Sequence, residues 1–213
     1  MRTESHISVT RTHVREGELA RHAAGRWEGG RVFAATSGLG LPRTWPLATS
    51  AVLRGLERAV EETKGARGIQ RALGCAEKAR AELAETCDHL VERMLPDASL
   101  AAIFLDGGEM HVVAAGAARV YLHRGGKPQR LTPRDEPTGG VLRARLAECT
   151  TPVEPGDLIL AGSASAFSMR AISHVVGVLS QDPRTAPSVL ASLLTEPAGQ
   201  AGVGAVAIVL RIA

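Results

Sequence analysis

The sequence predicts an α+β fold in which antiparallel sheet and helices are segregated along the chain. Three observations carry this. Stretches of period-two alternation punctuated by glycine turns fill residues 6–36 and 98–132, two long amphipathic helices lie together between them, and two short helices followed by an apolar strand close the chain. The 213 residues are 45 % hydrophobic but only 3 % aromatic, so the core must be aliphatic.

Taken in order, "HISVTRTHV" sets Ile7, Val9 and Val14 among polar residues, as a half-buried strand does. "GELARHAAGRWEGGRVFAAT" supplies two short runs around Trp27-Glu28-Gly29-Gly30, a hairpin-like turn. "SGLGLPRTW" breaks the pattern. From about Pro46 to Lys64, the residues Val52, Leu53, Leu56, Ala59, Val60 and Thr63 share one helical face, with Thr44 as N-cap and Gly65 as stop. From about Arg67 to Leu95 the stripe is Ala76, Ala79, Leu83, Cys87, Leu90 and Met94, weakened at Gly74 and ended by Pro96. "SLAAIFLD", "EMHVVAAG", "ARVYLHR" and "PQRLT" read as a meander with turns at Gly107-Gly108 and Gly125-Gly126. Residues 135–150 read as a polar linker. Pro155-Gly156-Asp157 launches a strand over 157–162, "SMRAISHVVGVLS" and "APSVLASLLTE" read as short helices, and "GVGAVAIVLRI" suits the centre of a sheet.

Several function classes fall away on composition. Net charge is +3, without a run of five or six Lys/Arg and without a basic stripe interleaved with aromatics, which argues against nucleic-acid binding. No stretch reaches the roughly 18–20 apolar residues of a membrane span, and the polar start "MRTESHISVT" lacks a signal-peptide core, so a cytoplasmic chain is expected. The three cysteines, Cys75, Cys87 and Cys149, are odd in number and widely spaced, which fits free thiols rather than a disulfide framework. Cys87-Asp88-His89 lacks the four spaced ligands of a zinc site. Arg, Ala and Gly usage reads as that of a GC-rich bacterium.

Five phrases in sequence order carry a resemblance. "HVVAAGAARVYLHRGGKPQRLTPRDEP", "VEPGDLILAGSASAF" and "GVGAVAIVLRI" resemble the G-D-S-R, S-D-G and D-N segments of the metal-dependent Ser/Thr phosphatases of the protein phosphatase 2C (PPM) family; "RVFAATSGLGL" resembles the strand ending in D-G-x-G-G, and "VREGELA" lies near the place of R-x-x-N-E-D-A. The resemblance covers nearly the whole chain. It implies one domain over residues 1–213, a sandwich of two antiparallel sheets flanked by helices, and an edge where aspartates hold Mg²⁺ or Mn²⁺ to activate a water for attack on phosphate. The flap, here confined to residues 135–150, is shortened.

The acids that this resemblance requires are not there. Leu19 stands for the Asp of N-E-D, Ser37 (followed by Gly38) for the bridging Asp, Ala117 for the Asp of G-D-S-R, Ala164 for that of S-D-G, and Val203-Gly204 for D-N. Hard divalent ions want carboxylate oxygen, so the resemblance implies a pseudophosphatase: no catalytic residue, no metal ligand, no cofactor, the Mg/Mn site lost. Arg15 is a candidate for the phosphate-binding Arg, one residue out of spacing. Arg119 is either an anion contact or a structural side chain, the latter being the more ordinary role. Glu16 and Glu18, with Asp135, are the candidate ligands of the rival reading, an active phosphatase with atypical ligands. Asp106, Asp135 and Asp157 suit turns. His111 and His123 lie on adjacent expected strands and could face each other. Ser163 and Ser165 have no evident His/Asp partners and no G-x-S-x-G elbow, and Gly38-Leu39-Gly40 is not followed by the G-K-[ST] of a phosphate loop. The expected role is a protein-binding regulatory module in bacterial signalling or assembly, with a Ser/Thr kinase or phosphoprotein as partner, and no nucleic acid or membrane.

Overall fold

In a computed structural model of the chain, residues 3–15, 17–88, 90, 95–134 and 139–213 are described. The strands are β1 (Thr3–Thr10), β2 (Thr12–Val14), β3 (Gly17–Leu19), β4 (His22–Trp27), β5 (Val32–Leu39), β6 (Asp97–Asp106), β7 (Glu109–Ala115), β8 (Arg119–Arg124), β9 (Lys127–Arg130), β10 (Ala147–Pro152), β11 (Leu158–Gly162) and β12 (Ala205–Ile212). The helices are α1 (Trp45–Glu62), α2 (Gly68–Asp88), α3 (Met169–Gln181) and α4 (Pro187–Gln200). The strands form one sheet in the order β1-β12-β11-β8-β9 and a second in the order β10-β7-β6-β5-β4, all antiparallel, with β2 and β3 as a separate hairpin. The expected α+β sandwich flanked by helices is the architecture found.

Strand period explains how the apolar runs are used. Along β12, Val206, Ile208, Leu210 and Ile212 enter the layer between the sheets, while Ala205, Ala207 and Val209 face the α3–α4 layer. Along β6, Ala101, Ile103 and Leu105 enter the same inter-sheet layer, and Leu100, Ala102 and Phe104 face α1 and α2. A strand covered on both faces has no polar side to show, which is why these segments read as continuous hydrophobic runs. The helices bury the stripes the sequence indicates: Val52, Leu56, Ala59 and Val60 on α1, Ala76, Ala79, Leu83 and Cys87 on α2.

Some expectations are corrected. Thr44 is not a side-chain cap: it ends a 3-10 turn (Pro42–Thr44), and its Oγ1 donates to Leu41 O at 2.8 Å. Leu90 lies beyond the end of α2, and Met94 falls outside the described residues. The 98–132 segment is not one meander. It is two hairpins in different sheets, because the chain crosses the sandwich at Gly116–Ala118. The 135–150 linker contains the start of β10, whose alternating burial against β7 marks a polar edge strand. Helix α4 continues through Pro197.

Candidate functional site

One end of the sandwich gathers most of the positions singled out in the sequence. β5 ends there at Ser37-Gly38-Leu39, β7 reaches the Gly116-Ala117 turn, β11 ends at Gly162 before a 3-10 turn (Ala164–Phe167), and Val203-Gly204 leads into β12. Leu39 sits opposite Asp97, and Gly162 opposite Ala207.

Hydrogen bonds link these segments through neutral groups. His22 lies directly opposite Ser37 in the β4–β5 ladder, and its Nδ1 is 2.8 Å from Ser37 Oγ. The other ring nitrogen, Nε2, is 3.5 Å from Val203 O. If Nε2–H donates to that carbonyl, Nδ1 accepts from the Ser37 hydroxyl. Burial pushes the His22 pKa down to about 4, helped by the Arg21 charge and opposed by the backbone groups of Val203 and Gly204. The ring is therefore neutral at pH 7, and it is a poor acceptor for the Ser37 proton. With both side chains 5 % exposed, the pair is a structural link rather than a hydrolase dyad.

A second chain of hydroxyls joins β11 to β12. Ser163 Oγ and Ser165 Oγ are 2.9 Å apart, Ser165 Oγ donates to Gly204 O at 2.8 Å, and Val206 N donates to Ser163 Oγ at 3.1 Å. Thr12 Oγ1 donates to Val203 O at 2.7 Å. Backbones meet closely here. A Cβ on Gly204, whose φ is +69°, would stand 2.5 Å from Thr12 Oγ1, and one on Gly38 would stand 2.6 Å from Trp45 Cβ.

The other sequence candidates divide. Ala164 and Ala117 are half-buried in the turns beside this cluster. Leu19 lies on the β2–β3 hairpin and lines a cleft with Val14, Arg15, Leu41, Pro42 and Arg43; the residue that meets Ser37 is His22. Arg119 is held structurally: its Nη1 donates to Phe167 O at 2.9 Å. Glu18 pairs with His13 at 3.3 Å on the hairpin's other face, and Glu16 and Asp135 fall outside the described residues. His111 and His123 do not face each other: they belong to different sheets, and His111 Nδ1 lies 3.0 Å from Thr150 Oγ1. Asp97 was missed in the sequence. Its buried carboxylate accepts from Gly140 N at 2.8 Å and Leu142 N at 3.0 Å, fastening the returning end of the short flap. Arg80 fastens the same segment through Val141 O at 2.6 Å and Ala144 O at 3.0 Å.

Comparison with solved structures decides the fold. The serine/threonine phosphatase PstP/Ppp of Mycobacterium tuberculosis superposes with a TM-score of 0.83 over 99 % of this chain and 98 % of that one, at 16 % identity. The chain has the fold of the PPM Ser/Thr phosphatases. PppA of Pseudomonas aeruginosa, described as a key regulatory component of T6SS, shares it with a TM-score of 0.77 at 19 % identity, over 98 % of this chain and 97 % of that one. No protein-family model matches the chain, and no curated protein does.

The PPM fold also corrects the cofactor expectation. The catalytic domain of PstP, with a TM-score of 0.81 at 18 % identity over 98 % of this chain and 97 % of that one, is solved in complex with two manganese ions. A protein of this fold thus binds manganese, and the expectation of no cofactor, drawn from the missing aspartates, does not stand. Among the described residues no three of His, Cys, Asp and Glu converge, but that says nothing about loss of metal. The neutral donors described above are not the carboxylates a hard divalent ion prefers. No described helix is long and apolar enough to cross a membrane.

Proposed function

We propose that this chain is a catalytically silent PPM-fold module that works by binding another protein in bacterial signalling, in the cytoplasm, with a Ser/Thr kinase or a phosphoprotein as the partner class. The observation that carries the reading is the neutral cluster of His22, Ser37, Ser163 and Ser165 at the sandwich end. Positions Leu19, Ser37, Ala117, Ala164 and Val203-Gly204 are read as degenerate versions of the family's acidic positions. In-line attack on a phosphate needs a water activated by concentrated charge. Here the groups at hand are hydroxyls already bonded to each other or to carbonyls, and an imidazole that burial keeps uncharged. The shared fold of PppA, a regulatory component by its description, supports a regulatory setting.

The test is phosphate release from a phosphopeptide with saturating Mn²⁺, beside an active PPM enzyme. The expected result is no release above buffer. Turnover by this chain that disappears on chelation overturns the reading.

A further inference from the structure

Helices α3 and α4 pack on the outer face of β11 and β12, and a cleft of about 230 Å³ lies between the first half of α3 and the last half of α4. Charge is scarce on both helices. Among the 13 residues of α3 the only permanently charged side chain is Arg170, and among the 14 of α4 it is Glu196. Both line this cleft. Arg170 shares the α3 wall with His174, and Glu196 shares the α4 wall with Gln200. The i,i+4 spacing within each pair puts its two members on one helix face. Buried Ala171 and half-buried Leu193 and Pro197 form an apolar floor. Among the described residues, Arg170 and Glu196 make no hydrogen bond or ion pair, with each other or with a neighbour. Pro197 adds an acceptor. It has no N–H, so the carbonyl of Leu193, four residues earlier in the same wall, lacks its helical donor.

We infer that this cleft binds a small zwitterion, a free α-amino acid with a short aliphatic side chain. Its carboxylate lies against Arg170, its ammonium against Glu196 and the Leu193 carbonyl, and its side chain on the Ala171–Leu193–Pro197 floor. The two walls select the charge type. A lone anion would meet Glu196 and a lone cation would meet Arg170, whereas a zwitterion satisfies both. Charge-assisted hydrogen bonds at its two ends fix the ligand's direction. Size selects the rest. The volume lies below the roughly 300–1,000 Å³ of drug-sized sites, which suits a single amino acid rather than a nucleotide or a peptide segment. The cleft is separate from the neutral cluster but shares its supports. Helix α3 begins just after the 3-10 turn that carries Ser165, and α4 ends shortly before Val203-Gly204. A ligand spanning both helices therefore braces the segments that build that end. Binding here depends neither on the protein-binding reading above nor on a metal.

The full-length chain is titrated with L-valine by calorimetry and by thermal shift. Comparison probes are N-acetyl-L-valine and L-valinamide, which keep one charge each, and inorganic phosphate. L-valine should bind best, with each blocked form weaker by about tenfold. Arg170→Ala should weaken L-valine about tenfold but leave L-valinamide, which has no carboxylate, unchanged. Glu196→Gln should weaken L-valine to the same degree and leave N-acetyl-L-valine, which has no ammonium, unchanged. Arg184→Ala, at an exposed site outside the cleft lining, should change nothing. Arg170 and Glu196 are exposed, so neither substitution opens the core, and circular dichroism checks that each variant is folded. Neither heat nor a thermal shift with L-valine at ~10 mM, equal binding of the blocked forms, tighter binding of phosphate than of L-valine, or equal loss in Arg184→Ala overturns the inference. Phosphatase turnover overturns only the silent-module reading, and a lack of amino-acid binding overturns only the cleft.

Discussion

The two ends of this sandwich solve the same problem in opposite ways. Both must bury polar groups where strands stop. The end opposite the neutral cluster uses full charges. Glu28, in the turn between β4 and β5, is paired bidentately with Arg71 of α2, both side chains being 9 % exposed or less. Asp157, at the start of β11, accepts from Arg124 Nε at 2.8 Å and Arg124 Nη2 at 2.6 Å. Burial works to raise the Asp157 pKa, but the Arg124 hydrogen bonds and the Glu154 N–H outweigh it and hold the carboxyl below the usual range. The other end uses an imidazole, hydroxyls and carbonyls, and its guanidiniums, Arg21 and Arg119, donate to the carbonyls of Gly38 and Phe167. Asp97 is the acid buried there among the described residues, and backbone N–H groups satisfy it. The chain therefore accommodates buried carboxylates readily when it supplies an arginine or an amide cradle. Neutrality around Ser37 is a local property of one end, not a consequence of composition.

The sharpest way to break the contrast is at the charged end. Glu28→Gln leaves Arg71 buried without its countercharge and should cost about 3–5 kcal/mol of stability, read by urea unfolding. A loss below about 1 kcal/mol would mean that the two ends do not differ in the way described. At the neutral end the expected effect is a pH dependence. His22 titrates near 4 in the folded chain against an ordinary value of 6.5, so the unfolded state takes up the proton first on acidification. Stability is full above the ordinary value and falls as pH drops towards the folded one, by about 2 kcal/mol between pH 7 and pH 5. His22→Gln should remove that portion of the slope in denaturant titrations at the two pH values. His123, which burial also shifts downwards, supplies a remainder of the same sign. Ser165→Ala is the smallest: it removes the bond to Gly204 O and the link to Ser163, worth about 1 kcal/mol by thermal unfolding.

How much of this was legible depended on the range of the interaction. β6 and β12 are readable because burial on both faces writes apolar residues at every position. α1 and α2 are readable because their stripes recur at helical spacing. β10 hid because an edge strand with Glu148, Thr150 and Thr151 looks like a linker. The crossing at Gly116–Ala118 hid because a turn between sheets uses the same small residues as a hairpin turn. Ser37 was found by resemblance, but its partner His22 was not. That pairing depends on how many residues the hairpin turn consumes, and a shift of one in register would send the side chain to the other face. Asp97 and Arg80 act across more than forty residues of chain, and no local spacing records such contacts.

The anchoring of residues 139–146 has a consequence for motion. The Gly140 and Leu142 amides, which donate to the buried Asp97 carboxylate, should exchange with solvent only when the start of β6 lets go, while the Arg80 guanidinium of α2 holds the Val141 and Ala144 carbonyls. The segment has no ladder of its own, yet it is tied to β6, a strand buried along nearly its whole length. It is a brace at the end of the sandwich that ties the start of β6 to the flank of α2.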